Sequence, residues 1–82
     1  MNEWIPVSVR KPTEEESRKH LLITLRYDDE VYTDVADYGR NLAGKEYWAT
    51  PDYYEAELFD KEKVIAWMPL PEPYKEVEHG QK

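Results

Sequence analysis

Ser8, Ser17 and His20 are the residues of this chain that could form a nucleophile and its base, because a hydroxyl attacks only when a neighbour takes its proton. They stand in or beside a polar stretch that has no glycine-rich elbow and no third residue to orient the histidine. Carboxylate pairs suited to acid–base work are plentiful, Glu55 with Glu57 and Asp34 with Asp37 among them. With 18 acids in 82 residues, however, such pairs arise from composition alone. Asp28-Asp29-Glu30 with Asp34 has the acidity of a calcium loop but lacks its glycine and its closing glutamate. No glycine-rich phosphate-binding loop is present. The absence of cysteine removes disulfides, thiolate nucleophiles and zinc–thiolate sites together. His20 and His79 are the only histidines, too few for a histidine-rich metal cluster. The expectation is a protein that is not an enzyme and uses no metal or cofactor.

Tyr47, Trp48, Tyr53 and Tyr54 gather beside Asp52 and Glu55. Exposed, they would stack on a sugar or small ligand, with carboxylates at the rim as acceptors. Buried, they are the core of a small protein poor in Leu and Phe, and that is the preferred reading. The four aromatics are kept as a speculative ligand-binding set.

A net charge of −7 and a sequence pI near 4.7 oppose binding to phosphate backbones and anionic lipid. Nucleic acid and membrane are therefore not expected partners. The acids are evenly spread, nine in residues 1–40 and nine in 41–82, so there is no acidic tail. No apolar run approaches the roughly 20 residues of a membrane span, and the opening residues lack a signal-peptide pattern, which points to the cytoplasm. An aromatic content of 13% is that of a folded chain rather than a disordered acidic one. Exposed sheet edges and aromatic surfaces are where proteins associate. By exclusion the expected partner is another protein, a second copy of this chain included. Pro69-Leu-Pro-Glu-Pro-Tyr74 resembles a ligand for proline-recognising domains, but is expected to pack back on its own domain.

The elements follow from periodicity. Trp4–Val9 opens as a short extended segment, and Pro6, which cannot donate to a ladder, places it at an edge. Residues 10–19 are polar throughout and read as a surface connection, with capping-box spacing at Thr13 and Glu16. In residues 20–27, Leu21, Ile23, Leu25 and Tyr27 alternate onto one face of a strand. A second strand over 31–38 joins it in a hairpin. A three-residue loop at 28–30 is preferred over a two-residue loop at 28–29, because it sets Ile23 opposite Val35 rather than Asp34. That choice asks Glu30 to adopt a left-handed conformation. Residues 45–49 form a third strand. Thr50-Pro51-Asp52 is a good helix start, and a short helix near 51–59 is preferred to a strand carrying Tyr54, Ala56 and Leu58. Residues 63–68 are the last strand, stopped by Pro69. Residues 1–74 therefore read as one mainly β (or α+β) domain, a small antiparallel sheet of about four to five strands. Residues 75–82 read as a disordered tail.

Trp4-Ile5-Pro6-Val7-Ser8, with Arg10 and Pro12 following, resembles the opening of the domain-of-unknown-function family 551. Val64-Ile65-Ala66-Trp67-Met68-Pro69-Leu70-Pro71 resembles its closing motif more closely. The resemblance implies a small protein of the kind found largely in phages and prophages, in a bacterial or phage-infected cell. It implies no activity and no site residues. Lys11 stands where an apolar residue usually precedes the proline, and Ala66 where a polar residue, often histidine, precedes the tryptophan. Trp4 and Trp67 are expected to seal one end of a small sheet if the first and last strands pair.

Overall fold

The computed structural model describes residues 3–52 and 55–71. Within them, five strands build one sheet: β1 (Ile5–Pro6), β2 (Leu21–Tyr27), β3 (Glu30–Arg40), β4 (Glu46–Ala49) and β5 (Val64–Pro69). A single 3-10 turn, Glu16–Arg18, lies between β1 and β2. The strand order is β1-β5-β2-β3-β4, and every pairing is antiparallel. The fold is mainly β, as the alternation predicts.

β2 is the central strand because its alternation gives it one wholly apolar face. Leu21, Ile23 and Leu25 are buried on that face, together with Val64 and Trp67 of β5, Ala36 and Tyr38 of β3, and Trp48 of β4. Tyr38 and Trp48 sit opposite each other across β3 and β4, with ring centroids 4.7 Å apart. β1 lies at the sheet edge, where Pro6 costs no ladder bond. Its Ile5 pairs with Trp67, which joins the two family-like ends in space.

The polar segment 10–19 helps to cover this core. Pro12 is buried, and the Trp67 indole Nε1 donates to the Arg10 carbonyl at 3.0 Å. Thr13 and Glu16 form the reciprocal capping box, with Glu16 N–H donating to Thr13 Oγ1 and Thr13 N–H donating to Glu16 Oε1. One short turn results, held by polar bonds rather than by an apolar face.

The structure departs from the sequence-based expectations at the hairpin, in residues 51–59 and at Trp4. The hairpin closes with two residues, pairing Tyr27 with Glu30 and Ile23 with Asp34. Ile23 takes its apolar neighbour from the other side, where Trp67 of β5 stands opposite it, so β3 need not supply one. Asp28, not Glu30, carries the left-handed backbone, with φ 54°. The described residues of the expected helix near 51–59, 51–52 and 55–59, are not helical. Instead Leu58 bridges Ala49, Thr50 N–H donates to the Glu57 carbonyl, and Phe59 N–H donates to the Trp48 carbonyl. No strand forms over the described part of this stretch either: a single bridge and a few backbone bonds to the end of β4 satisfy groups that an isolated helical turn leaves open, and Tyr54 lies outside the described residues. Finally, Trp4 is 42% exposed and does not seal the sheet end with Trp67, which is 0% exposed.

Candidate functional site

The hairpin of β2 and β3 outruns its neighbours. Pairing of β2 with β5 ends at Leu25 and Val64, and pairing of β3 with β4 reaches only to Asp37. Beyond these points the two strands have only each other as strand partners among the described residues. The molecule is correspondingly long, 52 × 32 × 24 Å. Among its charged residues the arm exposes three large hydrophobic side chains: Tyr27 is 40% exposed, Val31 57% and Tyr32 48%. The Tyr27 and Tyr32 rings lie 6.0 Å apart on one face, and the Lys63 ammonium sits 5.7 Å from the Tyr27 ring centre. The Tyr32 hydroxyl donates to the Glu30 carboxylate, which orients the second ring.

The register also fixes which backbone groups point outward. A two-residue hairpin makes Tyr27 and Glu30 a hydrogen-bonded pair, so Glu30, Tyr32, Asp34 and Ala36 turn their N–H and C=O groups toward β2. Val31, Thr33 and Val35 turn theirs away from the sheet. One of these donors is engaged: Val35 N–H donates to Asp34 Oδ1 at 2.7 Å.

Three polar constellations lie elsewhere. Arg10 forms a two-pronged pair with Glu16, at 2.9 and 3.1 Å. The Arg10 guanidinium, together with the Thr13 backbone N–H, holds the Glu16 carboxyl down at about 2. Lys11 Nζ and the Tyr38 hydroxyl converge on Glu46 Oε1, at 2.8 and 3.0 Å. The lysine lowers the Glu46 carboxyl, while burial and then the Glu46 hydrogen bond raise the Tyr38 phenol. His20 Nδ1 meets Asp37 Oδ1 at 2.5 Å on the surface. The Lys11–Glu46 and His20–Asp37 pairings cross long stretches of sequence, and no local spacing signals them.

The hydroxyl of Ser17 donates to the Glu14 carbonyl, so it does not hand its proton to His20. Ser8 is exposed in the turn after β1. Asp34 and Asp37 lie on opposite faces of β3, because side chains an odd number apart alternate sides. Among the described residues no group of three or more His, Asp or Glu is placed to hold a metal ion. No helix among them is long and apolar enough to cross a membrane.

Of the aromatic set, Trp48 is buried against Tyr38, and Tyr47 projects from the opposite face of β4. These two rings therefore do not form one stacking platform. Tyr53 and Tyr54 lie outside the described residues, as does the expected tail. An open groove of about 670 Å³ runs between the 3-10 turn and the end of β5, bordered by Glu16, His20, Leu21, Pro69 and Leu70. Tyr47 and Trp48 take no part in it.

A single antiparallel sheet with a projecting arm is the kind of small β domain that these residues define. The chain belongs to the DUF551 family, proteins of unknown function, whose pattern matches residues 3–75. No curated protein and no solved structure matches it.

Proposed function

We propose that this protein works by contact with another protein, as a non-enzymatic accessory of the phage or prophage kind, inside the bacterial cell. The observation that carries this reading is the projecting arm, which exposes Tyr27 and Tyr32 on one face and Val31 on the other beside an unpaired strand edge. Aromatic side chains bring large contact area at low entropic cost, which is why interfaces are enriched in them. The expected negative charge keeps nucleic acid and anionic membrane away while leaving protein surfaces open.

Affinity capture from a bacterial lysate, followed by crosslinking and mass spectrometry, tests the reading. A specific protein crosslinked to the arm and lost on Tyr32→Ala supports it. Failure to retain any protein, together with heat stabilisation by a sugar or metabolite, overturns it in favour of a ligand-binding module.

A further inference from the structure

We infer that the partner of the β3 edge is a second copy of this chain, paired antiparallel about Thr33; this deepens the contact reading proposed above and rests on it. The outward backbone groups belong to Val31, Thr33 and Val35, so a two-fold axis at Thr33 sets Thr33 against itself and Val31 against Val35 of the other copy. All three residues turn their hydrogen-bonding groups the right way for this register. Every side-chain row then continues into a compatible one. On one face, Met68, Leu22 and Val35 already lie side by side across β5, β2 and β3, and Val31 of the second copy extends that apolar row. Thr24 and Thr33 likewise meet Thr33 and Thr24. On the other face, Asp34 stands opposite the uncharged Tyr32 of the second copy, so no acid meets an acid there.

Charge selects this register over its neighbours. Moving the axis to Tyr32 sets Glu30 against Asp34, and moving it to Asp34 sets two aspartates face to face. Like charges directly opposite are destabilising. Axes at Val31 and Val35 also oppose no two acids, but the first runs into the turn and the second into the residues of β3 that β4 already pairs, so Thr33 is the axis that uses the whole free edge Glu30–Ala36. The bond from Val35 N–H to Asp34 is exchanged on pairing for one to the Val31 carbonyl of the second copy. Asp34 thus guards the edge of the free monomer and releases it on association.

Light scattering and sedimentation across a concentration series at moderate salt test the inference on the full chain. The expected result is a concentration-dependent dimer. Thr33→Pro removes an outward donor without touching the β2 ladder, and should weaken dimerisation by about tenfold or more while the tryptophan emission stays native. Because the chain has no cysteine, Thr33→Cys supplies a second readout independent of that variant. Directly paired residues lie about 5.5 Å apart, within disulfide reach, so mild oxidation should link two copies through position 33. Leu42→Cys, fully exposed away from the edge, should not link. A strict monomer at high concentration overturns the inference, as does a dimer indifferent to both Thr33 variants. A monomer that nonetheless holds a host protein through this edge overturns self-pairing alone and leaves the contact reading standing.

Discussion

The indole of Trp67 donates its N–H to the carbonyl of Arg10 at 3.0 Å, and the Arg10 guanidinium lies 5.0 Å from the centre of the same ring. One residue of the polar cover thus satisfies the buried indole through its backbone and covers its face through its side chain. Trp67 is itself completely buried against β2. The two ends of the family pattern are therefore one structural unit, since Trp67 belongs to the closing motif and Arg10 to the opening one.

Trp67→Ala should cost about 3–5 kcal/mol, the usual range for deleting a fully buried large aromatic. Trp67→Phe keeps much of the apolar contact but leaves the Arg10 carbonyl without its donor, adding about 1 kcal/mol for the lost bond to the cost of the smaller ring. Urea unfolding of the two variants checks the order. An unchanged midpoint for Trp67→Ala contradicts a core role for this ring.

Acid should loosen the cover through Glu16. Its carboxyl titrates at about 2 in the folded chain against an ordinary 4.5, so the unfolded chain takes up the proton first. The stability that it contributes is fully present above about 4.5 and drains away as the pH falls toward 2. Because the pair is substantially exposed, the effect is small. Thermal melts from pH 6 to pH 2 should therefore fall less steeply for Glu16→Gln than for the parent in the acid range (~2–4.5).

Lys11 departs from the apolar residue that the family resemblance leads one to expect, and the structure supplies its partner. Lys11 and Tyr38 share one oxygen of Glu46, so their effects should not add. Lys11→Met should cost about 0.2–1 kcal/mol and Tyr38→Phe about 1 kcal/mol. In the double variant the sum should miss by about 0.5 kcal/mol or more. A double-mutant cycle in urea measures that difference, and strict additivity would show that the two bonds are independent.

Legibility in the sequence followed the range of the forces involved. The alternation of Leu21, Ile23 and Leu25 is local, and it identified β2 and its buried face. The edge position of Pro6 and the Thr13–Glu16 capping box were equally legible, each depending on a neighbour a few residues away. The register of β3 was not, because the apolar partner of Ile23 is Trp67, which lies 44 residues downstream on β5. The stretch after Thr50 misled for a related reason: Thr50, Pro51 and Asp52 favour a helix locally, but the carbonyl of Trp48 and the N–H of Thr50 capture the returning chain. The arm was hidden because it depends on where β4 and β5 stop, which no pattern within β2 or β3 records.

The turn itself discriminates between the two registers. Asp28 holds φ 54°, a conformation that costs an L-residue up to about 1–2 kcal/mol, less for Asp, and glycine essentially nothing. Asp28→Gly should therefore hold stability or raise it by up to about 1 kcal/mol, the added unfolded-state freedom offsetting part of the relief. Asp28→Val should lose about 1–2 kcal/mol, because a β-branched residue tolerates that region worst. Glu30 gives the contrast. It lies in β3 opposite Tyr27, so Glu30→Gly places glycine inside a strand and should cost about 0.5–1 kcal/mol. A three-residue loop would reverse that sign, since Glu30 would then carry the left-handed backbone. Urea midpoints for the three variants read the register directly, and stabilisation by Glu30→Gly would move the whole outward row of β3 by one residue.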